Sequence, residues 1–308
     1  MKVIFLGTPD FGIPALTAIM KYHQIVGCVC QPDKIGSRGK IEFCAVKKFA
    51  LEHNLPLYQF EKISRDGVDV LKNLSPDIMV TAAYGQILSQ EVIDIAPHGI
   101  INIHGSLLPE LRGASPIQYA VLLGLKTTGI TILKTVRKVD AGEIILQKSL
   151  DIAPYETNGE LFERLSLLGA EAVTEALNLI ETGRARYVAQ NEELATFTAK
   201  ITAEQEKIDW SKPSEEIINL VRALNPRPVA WTTYKGKRIK IYTLRLCNKD
   251  FDGRYGTVVE CGKKSLAVMC GDGRAVNVIE LQAENSKKTD IASYLCGRKF
   301  QVGDILGE

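Results

Sequence analysis

The chain predicts an α/β protein with a Rossmann-like, mostly parallel N-terminal sheet carrying helices on both faces, followed by a C-terminal OB-like β-barrel. Three observations carry that expectation. Short apolar strands alternate with helical patterns as far as Glu181, the rhythm of parallel strand–helix–strand units. From Val229 onward short strands follow one another instead, with turns at Lys235-Gly236, Asp252-Gly253, Cys261-Gly262 and Asp272-Gly273, as in a small barrel or sandwich. Between the two patterns lies a polar stretch that suits a linker. The boundaries read as 1–188 for the α/β domain, 189–205 for the linker and 206–308 for the barrel. With 308 residues, 45% of them hydrophobic, the chain can bury a sizeable core.

Each element has a local reason. Lys2–Leu6 is an apolar run that reads as a buried strand, and Thr8–Gly12 is a loop. Pro14–Tyr22 reads as a helix with Pro near its start, where a missing N–H costs nothing. Ile25–Cys30 is a second strand, and the polar, Gly-punctuated Gln31–Lys40 is a loop. Cys44–His53 and Val68–Leu74 are helical in pattern, with a short strand around Pro56–Tyr58. Asp77–Ala83 and Gly99–Ile103 read as strands, Pro116–Leu123 as a helix, Thr128–Thr135 and Glu143–Ser149 as strands. Gly159–Glu181 is a long amphipathic helix, and Glu215–Leu224 a short one. In such sheets ligands gather beyond the carboxyl ends of the strands, near a topological switch.

Several classes are excluded. No stretch approaches the roughly 18 apolar residues of a membrane span. Lys2 is followed by only four apolar residues before Gly7, too few for a signal peptide, so a cytoplasmic protein is expected. The seven cysteines are an odd number. Cys28-x-Cys30 has the wrong spacing for a zinc knuckle, so buried reduced thiols are expected. No EF-hand, Walker loop or HExxH motif is present, which argues against a metal or a nucleotide triphosphate.

The net charge of +2 is uninformative, but its distribution is not. Residues 206–308 hold 18 Lys/Arg against 13 Asp/Glu, whereas residues 1–205 hold 20 against 23. Ile217 to Lys249 contains eight basic residues and no acidic one. A basic module joined to a mildly acidic one suggests a polyanionic partner.

Chemistry concentrates in two places. Ile101-Asn102-Ile103-His104-Gly105-Ser106-Leu107-Leu108-Pro109 puts Asn102 and His104 two apart at a strand end, on one face. Asp140, in the segment Val136–Ile144, sits in a turn between strands and offers a third polar group. A carboxylate beside an imidazole favours its cationic form and fixes its orientation.

The pattern Asn-x-His-x-Ser-Leu-Leu-Pro followed by Asp-x-Gly resembles the folate-dependent formyltransferases. Gly7–Phe11, Gln31–Asp33, Gly36–Lys40, Ala82–Leu88, Arg112–Gln118, Thr128–Thr131, Lys200-Ile201 and Ile208–Trp210 look like segments of the branch that formylates methionyl-tRNA. The resemblance runs along essentially the whole chain. Departures are Arg227 between prolines where the family often has an aromatic, Val229 in place of a following glycine, and Ser89 where proline is usual.

The resemblance implies 10-formyltetrahydrofolate as donor, with no metal, and the α-amino group of methionine on initiator tRNA as acceptor. Asn102 and a protonated His104 would face the developing oxyanion, and Asp140 would balance the imidazolium and relay protons. It implies a folate pocket at Tyr84, Gly85, Gln86, Ile87, Leu88, Ser106, Leu107, Leu108, Pro109 and Val139. Ile87 and Leu88 would suit a wall for a flat ring. In the loop Pro32–Lys40, Lys34, Arg38 and Lys40 would meet the tRNA acceptor stem, Arg38 foremost. In the barrel, Lys235, Lys237, Arg238 and Lys240 would contact phosphates. A monomer is expected. Two alternatives stay open: a formyltransferase for a small amine, such as a nucleotide sugar or glycinamide ribonucleotide, and a non-enzymatic tRNA-binding protein on the same scaffold.

Overall fold

The computed structural model describes residues 1–35, 39, 41–297 and 300–308. The chain divides into two compact units. The first comprises 1–116, 127–150 and 162–198; the second comprises 117–126, 151–161 and 199–308.

Seven strands form the main sheet of the first unit: β1 (Lys2–Gly7), β2 (Gln24–Cys30), β3 (Leu57–Gln59), β4 (Ile78–Ala82), β5 (Ile100–His104), β6 (Thr127–Lys134) and β7 (Ile144–Asp151). They lie in the order β7-β6-β5-β4-β1-β2-β3. The five strands from β3 to β5 are parallel, and β6 runs antiparallel to β5. Val3, Ile4, Phe5 and Leu6 of β1 are all fully buried, as a parallel strand covered on both faces requires. Ile4, Leu6, Met79 and Ile100 share one core cluster with Leu71 and Val92, and each contributes on the order of 1.5–3 kcal/mol of burial. The strand order reverses between β1 and β4, the kind of switch beside which ligands gather in such sheets.

Residues 189–198, polar enough to read as linker, are built into the first unit. Val188 bridges Ile144, and Phe197–Thr198 pairs in parallel with Arg112–Gly113. Hydrogen bonds, not apolar burial, hold this segment, so a polarity-based reading does not detect it.

The second unit carries β8 (Trp231–Tyr234), β9 (Lys237–Leu246), β10 (Val258–Cys261), β11 (Leu266–Met269), β12 (Ala275–Ala283) and β13 (Thr289–Asp290). The sheet is antiparallel, in the order β8-β9-β12-β11-β10 with β13 on β12. Asp252-Gly253, expected as a turn, falls inside the longer connection between β9 and β10. Ile217 and Val221 of the helix Ser214–Ala223 pack with Ile239, Ile241 and Leu244 of β9. Residues 303–307 stitch the two edges of this curled sheet. The Leu306 N–H donates to Gly256 O, Val258 N–H to Asp304 O, and Gly307 N–H to Thr233 O. Among the described residues no helix is long and apolar enough to cross a membrane.

Candidate active site

Asn102 and His104 occupy alternate positions at the end of β5, and both turn toward one carboxylate. The Asn102 Nδ2 donates to Asp140 Oδ1 at 3.3 Å. The His104 Nδ1 faces Asp140 Oδ2 at 3.6 Å. The Gly113 N–H donates to that same Oδ2 at 2.8 Å. Asn102, His104 and Asp140 therefore converge. Both His104 and the Asp140 carboxylate are largely buried, their side chains 6% and 14% exposed, so their mutual electrostatics are weakly screened.

Partners outside the trio set its orientation. The Thr81 hydroxyl at the end of β4 donates to Asn102 Oδ1 at 2.8 Å, which fixes the amide so that its N–H₂ side faces Asp140. The His104 Nε2 lies 3.0 Å from the Leu111 carbonyl. A carbonyl only accepts, so Nε2 carries the proton and Nδ1 is the nitrogen open to gain one. This refines the expected role of His104: one ring nitrogen is committed to the protein backbone, and only Nδ1 faces the centre.

Asp140 is placed by an unusual backbone. Its φ is +49°, the left-handed region that non-glycine residues seldom adopt. Gly142, two residues on, passes so close to the chain that an added Cβ would lie 1.7 Å from Lys134 O. Beneath this turn is Arg112, fully buried. Its guanidinium donates to Gln190 Oε1 at 3.0 and 2.7 Å and to Glu192 at 3.2 and 2.9 Å. A buried cation must be paired in this way. Hydrogen bonds from Arg112 and then Lys138 hold the Glu192 carboxyl at about 2, well below its ordinary value. Nothing in the sequence near Asn102 or His104 pointed to Thr81, Leu111, Gln190 or Glu192, because backbone atoms leave no sequence signal and Gln190 and Glu192 lie far along the chain.

The remaining expected positions divide. Ser106, Leu107, Leu108 and Pro109 form a rigid loop beside the trio. Ser106 donates to Glu110 O at 2.7 Å. The Thr131 hydroxyl donates to Ser106 O and accepts from Leu108 N–H. The Leu108 carbonyl takes the Gln147 amide at 2.9 Å. Val139 is exposed. In the other segment, Ile87 is 83% exposed while Leu88 is buried in the core. Gln86 spends its side chain on Phe60 O and Ile63 N–H. The Tyr84 carbonyl accepts from Thr8 and Gln31. The buried Tyr84 hydroxyl has no hydrogen-bond partner among the described residues, and Gly85 is exposed with φ +89°. Lys34 is exposed and pairs with Glu42 across a two-stranded ribbon. Arg38 and Lys40 lie outside the described residues.

In the second unit, Lys235, Lys237 and Arg238 line a groove of about 450 Å³ together with Tyr234, Tyr294 and Phe300. The Arg238 guanidinium stacks 3.8 Å from the centre of the Trp231 ring. Lys240 sits on β9 opposite Trp231, outside the groove lining. Cations interleaved with aromatic faces suit a nucleic-acid strand.

Residues 1–177 match the family described as formyl transferase, and residues 200–299 match the formyl transferase C-terminal domain. The chain is 40% identical over 312 residues to a methionyl-tRNA formyltransferase of Acetivibrio thermocellus, covering all of both chains. Among solved structures, an N-formyltransferase of Helicobacter canadensis, in complex with folinic acid and dTDP-3-aminofucose, superposes with a TM-score of 0.70. It is 18% identical, with 92% of this chain and 100% of that one covered. HypX of Aquifex aeolicus, in complex with tetrahydrofolic acid, gives 0.64 at 17% identity. That match takes in 96% of this chain, which spans only 47% of the longer HypX chain.

Proposed function

The chain belongs to the formyl transferase family, and on that premise we propose that it moves the formyl group of 10-formyltetrahydrofolate to the α-amino group of methionine on initiator tRNA. The product, formylmethionyl-tRNA, serves translation initiation in the cytoplasm. The observation that carries the reading is the convergence of Asn102 and His104 on Asp140 at the carboxyl end of β5.

The amine attacks the formyl carbon, and the carbonyl oxygen becomes an oxyanion. One N–H of the Asn102 amide is engaged by Asp140; an amide carries two, and the second is available to that oxygen. His104 Nδ1 takes up the amine proton and becomes a second donor to the oxyanion. Asp140 stabilises the imidazolium, and the proton passes to the leaving nitrogen of the folate as the tetrahedral adduct collapses. No charge is left over: the amine loses one proton and the folate nitrogen gains it.

The loop Ser106–Pro109, with Val139, Ile87 and the backbone of Tyr84-Gly85, supports a folate pocket of apolar surface edged by polar backbone. The groove of Lys235, Lys237 and Arg238 supports tRNA phosphate contact, with Lys240 on β9; by the family resemblance Lys34, Arg38 and Lys40 would meet the acceptor stem. The first unit, with residues 189–198 built into it, then carries the chemistry, and region 206–308 holds the tRNA.

The test is transfer of labelled formyl from 10-formyltetrahydrofolate, with methionyl initiator and elongator tRNA side by side. Rapid formylation of the initiator is expected. A chain that formylates a nucleotide amino sugar but leaves methionyl-tRNA untouched refutes the proposal.

A further inference from the structure

The turn bearing Asp140 is conformationally costly, and something must hold it. A non-glycine residue at positive φ costs on the order of 1 kcal/mol or more and persists only where its surroundings over-determine it. Here the surroundings converge on one side chain. The Gln190 Nε2 donates to the carbonyl of Asp140 at 2.8 Å and to the carbonyl of Gly142 at 2.7 Å. Its Oε1 is gripped by two N–H groups of buried Arg112, whose other edge is pinned by Glu192. Glu192 in turn takes Lys138, on the same turn. The segment reaches the imidazole as well. Thr196 Oγ1 accepts the Leu111 N–H at 2.8 Å, and the Leu111 carbonyl is the group that orients His104.

We propose that Gln190, anchored by Arg112, is a positioning residue that fixes the left-handed turn and so aims Asp140 at Asn102 and His104. Gln190 itself touches no substrate; it acts through Asp140. The proposal rests on the formyl-transfer reading of the site and adds to it a residue outside the Asn-x-His and Asp-x-Gly patterns. A displacement of about 1 Å at such a centre is enough to cost a hundredfold in rate.

The test compares wild type, Gln190→Ala and Gln190→Glu, each also in an Asp140→Ala background. Gln190→Glu keeps the shape and the partner for Arg112 but cannot donate to two carbonyls, so it separates turn support from mere anchoring of the cation. The expected result is a fall in kcat of about 10- to 100-fold for both variants, of the size a misplaced group produces. KM for methionyl-tRNA should stay within about threefold, since the groove proposed to hold it is untouched. In the Asp140→Ala background the same substitutions should change kcat by less than about threefold, because residues acting as a unit are non-additive. Turnover near wild type in Gln190→Glu, or an equal loss with and without Asp140, overturns the proposal. Amide hydrogen exchange at residues 138–142 gives a readout independent of substrate: faster exchange in both variants is expected, and unchanged exchange overturns the positioning role. If exchange responds but the wild-type chain formylates no methionyl-tRNA, the functional reading falls and the positioning claim survives.

Discussion

Replacing Asp140 by Asn removes one charge and sets a hydrogen-bonding contradiction. Two donors already point at the carboxylate: Gly113 N–H at Oδ2 and Asn102 Nδ2 at Oδ1. An asparagine there offers one oxygen and one NH₂. With its oxygen toward Gly113, its NH₂ meets the Asn102 NH₂; with its oxygen toward Asn102, its NH₂ meets the Gly113 N–H. The first conflict has one escape. Asn102 can flip and accept from the new residue, giving its NH₂ to Thr81 Oγ1. That flip takes the Asn102 donor away from the reacting carbonyl. Either a buried donor is left without an acceptor, costing about 1–3 kcal/mol, or a donor to the oxyanion is lost, costing on the order of a hundred- to a thousandfold in rate. Loss of the negative charge that stabilises the His104 imidazolium acts in every case and weakens proton transfer, a step whose full contribution is about 10²- to 10⁴-fold. The expected outcome is a kcat at least a hundredfold below wild type, with the far-ultraviolet circular dichroism spectrum unchanged. Single-turnover formylation of methionyl-tRNA with both substrates saturating isolates this step. A variant that is folded and turns over within tenfold of wild type would refute the assignment of Asp140, and with it the reasoning from the two donors.

Other expectations follow from the same coordinates. Gly142→Ala drives a Cβ to within 1.7 Å of a backbone carbonyl oxygen, so the turn must shift; a kcat loss near a hundredfold with a small change in KM is expected from steady-state kinetics. Charge removal in the second unit, Lys237→Ala with Arg238→Ala, should raise KM for methionyl-tRNA and flatten its dependence on log salt by about one to two units. An unchanged salt slope would exclude phosphate contact there. The neighbouring Cys30 thiol lowers the Cys44 thiol below its ordinary value, against the opposing effect of burial. Iodoacetamide labelling of Cys44 should therefore rise at a lower pH than that of an ordinary free thiol, read from a labelling-rate profile against pH. Burial pushes the Cys28 and Cys270 thiols up to about 12, and both should stay unlabelled in the folded protein. For Glu192 the sign is that of a depressed carboxylate: its stabilising contribution is complete above its unfolded value of 4.5 and is lost as pH falls toward about 2. Acid unfolding midpoints of wild type and Glu192→Gln should converge at the low end of that window.

The sheet was legible because its strands are buried on both faces, and apolar runs such as Val3–Leu6 have no other stable place. Asn102 and His104 were legible through the two-residue period of a strand, and Asp140 through its turn and the family resemblance. Less could be read where polarity serves the interior. Gln190, Glu192 and Thr196 look like solvated linker residues, yet they satisfy a buried guanidinium and two backbone carbonyls. Nothing in a single sequence tells a water-facing glutamine from one that is clamped. The Tyr84–Leu88 segment shows the complementary limit. Ile87 and Leu88 are neighbours of similar hydropathy, but one is in solvent and the other in the core, because the loop geometry, not the composition, decides which points inward.

Dissection of the chain meets an unexpected constraint in the buried Arg112. A fragment ending at residue 188 would contain every atom of Asn102, His104 and Asp140, yet would leave a guanidinium stranded in the interior and the left-handed turn unbuttoned. Such a fragment should be soluble only with difficulty and inert as a catalyst, whereas one extended to Thr198 restores the Glu192 counter-charge and the Gln190 amide. The catalytic trio thus depends on ten residues that perform no chemistry, and any permuted, split or grafted version of this enzyme must carry them along.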